Sequence, residues 1–180
     1  HPTYFWKNVS LKFINIFKKK GLKNFRRYNL STNYFVPLYN FFKEDKLDIL
    51  RKNSKKYSKK FQHYLKNLIS GELEALSDYK TFIAGDNKKK SPVLHKFSES
   101  NVGRPLEHFR FDKKYFSRSS LNYLLGLVFM KKNLRKFSPK VFLEIGGGFG
   151  TLGEILYSSN IKTLKFISID IPPLSLVSEY

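Results

Sequence analysis

The residues with the clearest chemical potential lie in the stretch KVFLEIGGGFGTLGEIL, near the C-terminal end of the 180-residue chain. An apolar run acquires Glu144 and then opens into Gly146, Gly147, Gly148 and Gly150. Glycines have no side chain, so a turn built from them lets the backbone approach a ligand closely. A carboxylate just before the turn favours a ligand with positive charge.

Two classes of ligand match this glycine pattern. The spacing Gly148-x-Gly150-x-x-Gly153 fits the dinucleotide fingerprint, in which a pyrophosphate rests on a helix N-terminus. The spacing Glu144-x-Gly146-x-Gly148-x-Gly150 fits the first motif of class I methyltransferases, which use S-adenosylmethionine. The second is favoured, because a carboxylate opposes a diphosphate but suits the positive amino and sulfonium groups of S-adenosylmethionine. A glycine turn without a ligand is the third alternative.

A second carboxylate follows at a matching position. The segments KVFLEI, TLGEILYSS and LKFISIDI predict strand, helix and strand, which is a βαβ unit with an expected right-handed crossover. Asp170 ends the second strand, 20 residues after Gly150, where it could accept hydrogen bonds from two ribose hydroxyls. We therefore expect Glu144 and Asp170 to flank the glycine turn.

These residues carry a resemblance to a known family. FLEIGGGFGTLGEIL and FISIDIPPLSLVSEY, preceded by NVGRPLEHFRFDKKYFSRSSLNYLLGL, resemble the sugar O-methyltransferase family of bacterial polysaccharide loci. The shared features are an E-I-G-x-G-x-G turn, an I-D-x-P segment and an upstream G-x-P loop that leads into a helix. The FRR segment at Phe25 to Arg27 matches loosely. The resemblance covers roughly residues 100–180 and the N-terminal hundred only faintly.

The resemblance implies a Rossmann-like class I methyltransferase fold, S-adenosylmethionine as methyl donor, and a saccharide, nucleotide-sugar or glycan hydroxyl as acceptor. Its implied setting is surface polysaccharide biosynthesis. The residues that would line the cofactor are Glu144, Gly146, Gly147, Gly148, Gly150 and Asp170. The usual catalytic positions of that fold follow later strands, so no catalytic residue and no metal ligand is assigned.

A sugar hydroxyl is a weak nucleophile, so a general base or a metal usually takes its proton. Glu107, His108 and Asp112, in the loop before a predicted buried helix, are the candidates for the base. Surface residues held by hydrogen bonds are the alternative interpretation for His108 and Asp112. Tyr115 either stacks on a sugar ring or packs under the helix.

The net charge of +20 is confined to one part of the chain. Residues 1–140 hold 32 of the 34 basic and 10 of the 14 acidic residues, a net +22, whereas residues 141–180 carry −2. An AT-rich coding sequence would produce such an excess of Lys, Asn, Phe, Tyr and Ile. An anionic partner is the alternative, so a nucleic-acid methyltransferase or RNA-binding protein remains open. A further alternative is a non-catalytic membrane-surface protein with Phe5 to Lys20 as its interfacial helix.

Several site classes are excluded by composition. The chain has no cysteine, which rules out disulfides, thiolate chemistry and Cys-ligated zinc, and its four histidines show no metal-ligand spacing. The apolar run from Leu124 to Met130 is too short to cross a bilayer. Lysines interrupt the N-terminal hydrophobic residues, so there is no signal-peptide layout. A cytoplasmic protein is the expectation.

The N-terminal part predicts helices separated by aromatic loops. Helical spacing predicts a helix from Tyr4 to Phe17 that closes at Gly21, followed by an irregular segment interrupted by Pro37. A lysine-rich helix is predicted from Glu44 to about Ile69 and ends at Gly71. We expect its apolar side to pack, with a membrane or RNA surface as the alternative. The apolar side comprises Leu47, Leu50, Tyr57, Phe61, Tyr64, Leu65 and Leu68.

The overall prediction is an α/β chain with two parts. Residues 1–115 form a basic, mainly helical cap with aromatic loops, and residues 116–180 begin a Rossmann-like domain with a helix capped by Ser117 or Ser119. Only two strands are readable, so we expect a truncated sheet that exposes one face and an edge. On that expectation, residues 1–180 alone are marginally stable and inactive.

Overall fold

The computed structural model describes residues 4–35, 49, 52–135, 137, 139–159, 161 and 165–179, and it mixes helices with two small sheets. Within these residues no helix is both long and apolar enough to span a bilayer. The helices are α1 (Tyr4–Lys20), α2 (Asn29–Phe35), α3 (Lys59–Ser70), α4 (Glu72–Gly85), α5 (Arg118–Asn133), α6 (Thr151–Ser158) and α7 (Pro172–Glu179). The strands are β1 (Phe109–Phe111), β2 (Lys114–Phe116), β3 (Val141–Ile145) and β4 (Lys165–Ile169), and 3₁₀ turns lie at Phe25–Arg27 and Leu94–Lys96.

The C-terminal part contains the predicted βαβ unit. Strands β3 and β4 pair in parallel, from Val141 opposite Lys165 to Ile145 opposite Ile169, and α6 connects them. A Cβ atom on Gly153 would lie 2.9 Å from the Phe166 ring, so glycine lets α6 approach the strand behind it closely. The α/β class is confirmed at this level, together with the order strand, glycine turn, helix, strand.

One main core joins the helices to both sheets. Helix α5 packs against α4 and α6, and Ser117 caps its N-terminus in a reciprocal capping box with Ser120. This confirms Ser117 as one of the two predicted caps. The core draws on residues from both sides of the predicted boundary at residue 115, although the two-part division itself stays a prediction. Its fully buried members include Ala75, Phe82, Leu94, Phe97, Phe116, Leu121, Leu124, Ile155 and Leu156.

A β-hairpin lies where the sequence predicted a loop. Strands β1 and β2 pair antiparallel, and Phe111 and Phe116 enter the core beside Tyr79. The hairpin turn consists of Asp112 and Lys113, at φ +45° and +66°. A two-residue hairpin turn of type I′ needs positive φ at both central positions, and glycine or asparagine usually supplies it. The pair Asp-Lys lacks that signal, which explains the missed hairpin.

In the folded structure the N-terminal segment packs beside the glycine turn. Helix α1 ends before Gly21, as predicted, and buries Val9 and Phe13 against Leu174 of α7. Phe149, from the glycine turn, joins this second cluster. Helix α2 replaces part of the segment predicted to be irregular, and Pro37 lies outside the described residues.

The lysine-rich helix differs from its prediction. Residues 49 and 52–54 are helical as predicted, but the chain leaves the helix at residues 55–58, and α3 begins after the cap residue Ser58. Glu44, the predicted start, lies outside the described residues, and α3 ends at Gly71 as predicted. The expectation that its apolar side packs was wrong for most of the described residues, because α3 contains no buried side chain. The members of that side that are exposed are Tyr57, Phe61, Tyr64 and Leu68.

The β3–β4 pair presents an open apolar face. Its alternate residues Val141, Leu143, Ile145, Ile167 and Ile169 are all exposed, with Ile145 at 78%. Within the described part of the chain each of these strands pairs on one side only. The exposed face and edge that the sequence predicted are therefore present.

A buried ion pair connects the N-terminal segment to the loop before α5. Arg26 pairs with Glu99, whose side chain is fully buried, and the Arg26 backbone N–H donates to the Gly103 carbonyl at 3.1 Å. Glu99 also accepts a hydrogen bond from the Ser117 backbone N–H at 2.6 Å. Gly103 faces the Phe25 ring, and a Cβ there would collide with it.

We predict that Arg26→Ala strongly destabilises the chain, because it leaves the Glu99 carboxylate buried without a cation. Removing one partner of a buried pair costs about 3–5 kcal/mol. Urea unfolding followed by circular dichroism measures the loss. Arg27→Ala is the matched control, since among the described residues its guanidinium donates to the exposed Arg104 carbonyl alone, and it should cost less than about 1 kcal/mol. Equal losses for the two variants would contradict the role given to Glu99.

Candidate functional site

The glycine turn has a backbone that side-chain-bearing residues adopt with difficulty. Gly146, Gly148 and Gly150 have φ of +76°, +59° and +77°. The Gly146 N–H donates to the Ile169 carbonyl at 2.8 Å, which extends the parallel ladder, and the Gly150 N–H donates to Gly147 at 3.1 Å. The turn therefore requires glycine for its conformation at these three positions.

At Gly147, glycine is required because there is no space for a side chain. A Cβ atom on it would collide with the Glu144 carboxylate and lie 2.8 Å from the Ser168 hydroxyl oxygen. Gly146, by contrast, is exposed and has no atom within 4 Å of a built Cβ. One side of the turn thus lies against Glu144, and the other is open.

Asp170 holds the turn in place. Its Oδ2 accepts a hydrogen bond from the Gly148 N–H at 2.6 Å, and its Oδ1 accepts one from the Ile171 N–H at 2.7 Å. The predicted position beside the turn is confirmed, and the carboxylate binds backbone amides there. A carboxylate has about four acceptor positions, so two hydrogen bonds leave capacity for a ligand hydroxyl.

Glu144 is the buried carboxylate that has no cation. Neither of its oxygens has a hydrogen-bond partner of normal geometry among the described residues, although the Tyr123 hydroxyl lies close enough to lower its pKa as a hydrogen-bond donor. Burial raises the pKa of Glu144, and the charge of Asp170 adds to that increase while Tyr123 opposes it. Burial, and then the charge of Glu144, raise the pKa of Tyr123 to about 12. The two predicted carboxylates therefore lie near each other at the turn.

The other buried carboxylates of the described chain each have a cationic partner. Asp86 pairs with Lys131, Glu99 with Arg26, and Glu107 with Arg118. Since an uncompensated buried charge is costly, this pattern makes Glu144 exceptional. A ligand cation or a proton would each relieve it.

A small cleft opens beside the turn. Its volume is about 110 Å³, and the loop before α5 forms the opposite wall. Arg26 lines it, with its guanidinium carbon 5.8 Å from the centre of the Phe149 ring. The remaining lining residues are Pro105, Leu106, Glu107, Ser117, Ser119, Tyr123, Gly146, Gly147, Gly148 and Thr151.

A larger cavity of about 990 Å³ adjoins this cleft. It runs along α6 and α7, and Arg26, Phe149 and Thr151 border both spaces. Glu154, on its wall, accepts a hydrogen bond from the Ser100 N–H at 2.6 Å, and burial raises its pKa. Space for a ligand therefore extends from the turn along the N-terminal end of α6.

Of the three candidate bases, one borders the cleft. Glu107 lines it, but Arg118 holds that carboxylate through its Nε at 3.0 Å and its backbone N–H at 3.2 Å. His108 instead places Nε2 3.2 Å from the Glu99 carbonyl, and Asp112 accepts a hydrogen bond from the Tyr79 hydroxyl at 2.8 Å. Neither His108 nor Asp112 lines the cleft.

Tyr115 lies on the outer side of the hairpin rather than under the helix. Its ring stacks on His108 with centroids 4.4 Å apart, and the Arg110 guanidinium lies 6.0 Å from its centre. The ring is therefore already in contact with the His108 ring and lies near one guanidinium, and the side chain is exposed. The sequence interpretation that it packs under α5 was wrong.

Two residues at the site were not identified from the sequence as site residues. Arg26 lies more than a hundred positions before the turn, and only the loose FRR match pointed to it. Tyr123 is spaced like any core residue of an amphipathic helix. Among the described residues, no cluster of three or more His, Asp or Glu side chains could hold a metal ion.

Comparison of the chain with known proteins found no matching family, no similar curated protein and no similar solved structure. The functional assignment therefore depends on the geometry of the turn and on the motif resemblance.

We predict that Glu144 makes the chain less stable as the pH rises. Its raised pKa means that the folded chain keeps this proton where the unfolded chain has lost it. The free energy of unfolding therefore falls from about pH 4.5 up to the folded pKa. Glu144→Gln should remove that decline and be more stable than wild type above the window, as measured by urea unfolding between pH 4 and pH 8.

Comparing the pH profiles of wild type and Glu144→Gln isolates the contribution of Glu144. Asp78 and Glu154, whose pKa values are also raised, are present in both chains. Glu179→Gln, which removes an exposed carboxylate from the end of α7, controls for the loss of one charge. Parallel pH profiles for wild type and Glu144→Gln would contradict the burial of an ionisable carboxyl.

Proposed function

We propose that this protein is an S-adenosylmethionine-dependent O-methyltransferase that methylates a sugar hydroxyl, in surface polysaccharide biosynthesis. The single observation that carries the proposal is the buried, cation-free carboxylate of Glu144 against a glycine turn held by Asp170. The acceptor class comes from the motif resemblance alone. The donor is supported by the motif and by the geometry together.

The charges at the turn fit the amino-acid end of this cofactor. That end carries an ammonium and a carboxylate. The site offers Glu144 for the first and, for the second, Arg26, whose guanidinium also pairs with Glu99. The cleft of about 110 Å³ has room for one end of such a molecule, and the adjoining cavity of about 990 Å³ falls within the size of common ligand sites.

A dinucleotide fits the same residues less well. Its diphosphate would meet the carboxylates of Glu144 and Asp170, and like charges at short range are unfavourable. Asp170 also occupies the Gly148 N–H, a donor that a phosphate would otherwise use. The electrostatics of the turn therefore favour a cationic ligand over an anionic one.

Bound S-adenosylmethionine would supply a methyl group activated by its sulfonium, so the chain's task is to bind, orient and exclude water. Glu144, Gly147 and Asp170 would hold the cofactor. Glu107 is a poor general base for the acceptor, since Arg118 already binds its carboxylate. No residue of the described chain is assigned to proton removal.

We predict that the protein binds S-adenosylmethionine in isothermal titration calorimetry and that changes at the turn weaken it. Asp170→Ala releases the turn, and Gly148→Val places a branched side chain at a φ of +59°. Each should raise the Kd at least about tenfold, since charge-assisted hydrogen bonds contribute about 1.5–3 kcal/mol. Gly147→Ala should behave alike, because its Cβ collides with Glu144.

Gly126→Ala is the matched control, because a Cβ there meets no atom within 4 Å. It should bind S-adenosylmethionine as wild type does. Unchanged affinity in both Asp170→Ala and Gly148→Val would remove the cofactor assignment. Binding of a nicotinamide dinucleotide in place of S-adenosylmethionine would favour the alternative fingerprint.

A further inference from the structure

Helix α3 carries an exposed apolar stripe along its length. Phe61, Tyr64 and Leu68 follow one another on α3 at spacings of three and four residues, so they share one helix face. Tyr57 lies just before the helix and places its ring 4.9 Å from that of Phe61, and these four residues are here called the α3 stripe. Their exposed fractions are 58%, 43%, 53% and 46%. Helix α3 contacts α4, and none of its residues is buried. The stripe therefore faces away from the packed part of the chain.

The same segment is strongly and uniformly basic. Residues 52–70 contain six lysines, all exposed, and no acidic residue or arginine. The lysines are Lys52, Lys55, Lys56, Lys59, Lys60 and Lys66. Flexible lysine side chains beside an apolar face can extend their ammonium groups to a charged surface while the face itself is buried. The partner whose charge would complement this segment is an extended anionic surface.

Helix α1 is also basic but differs in its packing. Its Val9 and Phe13 are buried against Leu174, so this side of the helix is already covered, while Tyr4, Phe5 and Leu11 are exposed. The structure therefore favours an interfacial helix at α3 over the one that the sequence analysis placed at Phe5 to Lys20. Aromatic residues on one face and lysines on the rest are the composition of helices that lie in a membrane interface.

A nucleic acid is the other anionic partner to consider. Single-stranded nucleic acids bind to aromatic rings on which separate bases stack. The Tyr57 and Phe61 rings instead contact each other, with centroids 4.9 Å apart and planes tilted by 54°. The stripe also ends on the aliphatic Leu68. This arrangement favours burial among acyl chains over stacking on bases.

We propose that α3 binds the surface of anionic lipid bilayers, with the α3 stripe in the boundary between headgroups and acyl chains and the lysines among the headgroups. The proposal is independent of the cofactor site, since none of the stripe residues lines the cleft or the larger cavity. It would place the enzyme beside an acceptor held at a membrane.

Vesicle flotation of the 180-residue chain tests this directly. The protein should float with vesicles of phosphatidylcholine and phosphatidylserine, remain below vesicles of phosphatidylcholine alone, and detach as salt rises. Phe61→Ala/Tyr64→Ala/Leu68→Ala should reduce partitioning about tenfold or more, through lost apolar burial. Phe129→Ala/Leu134→Ala/Leu176→Ala removes equally exposed apolar side chains elsewhere and should bind as wild type does.

A matched pair of charge variants tests the lysines. Lys56→Glu/Lys59→Glu/Lys60→Glu and Lys88→Glu/Lys89→Glu/Lys90→Glu each lower the net charge by six, and all six positions are exposed. The first set should abolish flotation, and the second should retain most of it. Equal losses would mean that net charge alone drives binding, and the proposal would be overturned.

Tryptophan fluorescence measures whether the α3 stripe inserts into the bilayer. The chain has one tryptophan, so Trp6→Phe/Phe61→Trp reports from the stripe alone. Its emission should shift to shorter wavelength on anionic vesicles and be quenched by brominated acyl chains. Circular dichroism verifies that every variant remains folded. Flotation without that shift, or binding of single-stranded RNA with no binding of vesicles, would overturn the proposal.

Discussion

The hydrogen bond between the Gly148 N–H and the Asp170 carboxylate is the constraint on which the site depends. It joins the turn after β3 to the end of β4, across 22 residues of sequence. A chain of glycines has more conformations to lose on folding than any other, so an external contact must select one. With the turn fixed, α6 begins at Thr151 and Gly147 lies against the Glu144 carboxylate. The start of α6 and the environment of Glu144 therefore both depend on this hydrogen bond.

Buried charge pairs set the positions of the segments around that turn. Arg26 reaches Glu99 across 73 residues, Arg118 reaches Glu107 and Glu74, and Lys131 reaches Asp86 across 45 residues. A few of the many basic residues in the N-terminal part therefore have a structural role, because they pair with buried carboxylates. Most of the other lysines among the described residues are exposed, including all six in residues 52–70. Among the buried carboxylates of the described residues, Glu144 is the one without a cationic partner.

The C-terminal forty residues could be predicted from sequence, and much of the rest could not. Each element of this part has a local signal in the sequence: a strand that ends on an acid, a glycine turn, a helix, and a second strand that ends on Asp170. The parallel pairing of β3 with β4 follows from this order. The hairpin was missed because Asp112 and Lys113 adopt positive φ without glycine, which only tertiary contacts impose. The exposure of α3 was missed because spacing identifies an apolar face but not whether anything covers it. Arg26 was beyond prediction, since its nearness to the turn depends on how distant segments pack.

The open face of β3 and β4 has a practical consequence for anyone who handles the protein. Alternating bare isoleucine and leucine side chains beside unpaired backbone groups form a template on which like strands can add. The strong like-charge repulsion between chains of net +20 opposes such self-association at low ionic strength. Concentrated salt screens that repulsion and strengthens apolar adhesion, so dilute, low-salt storage opposes self-association and high salt promotes it.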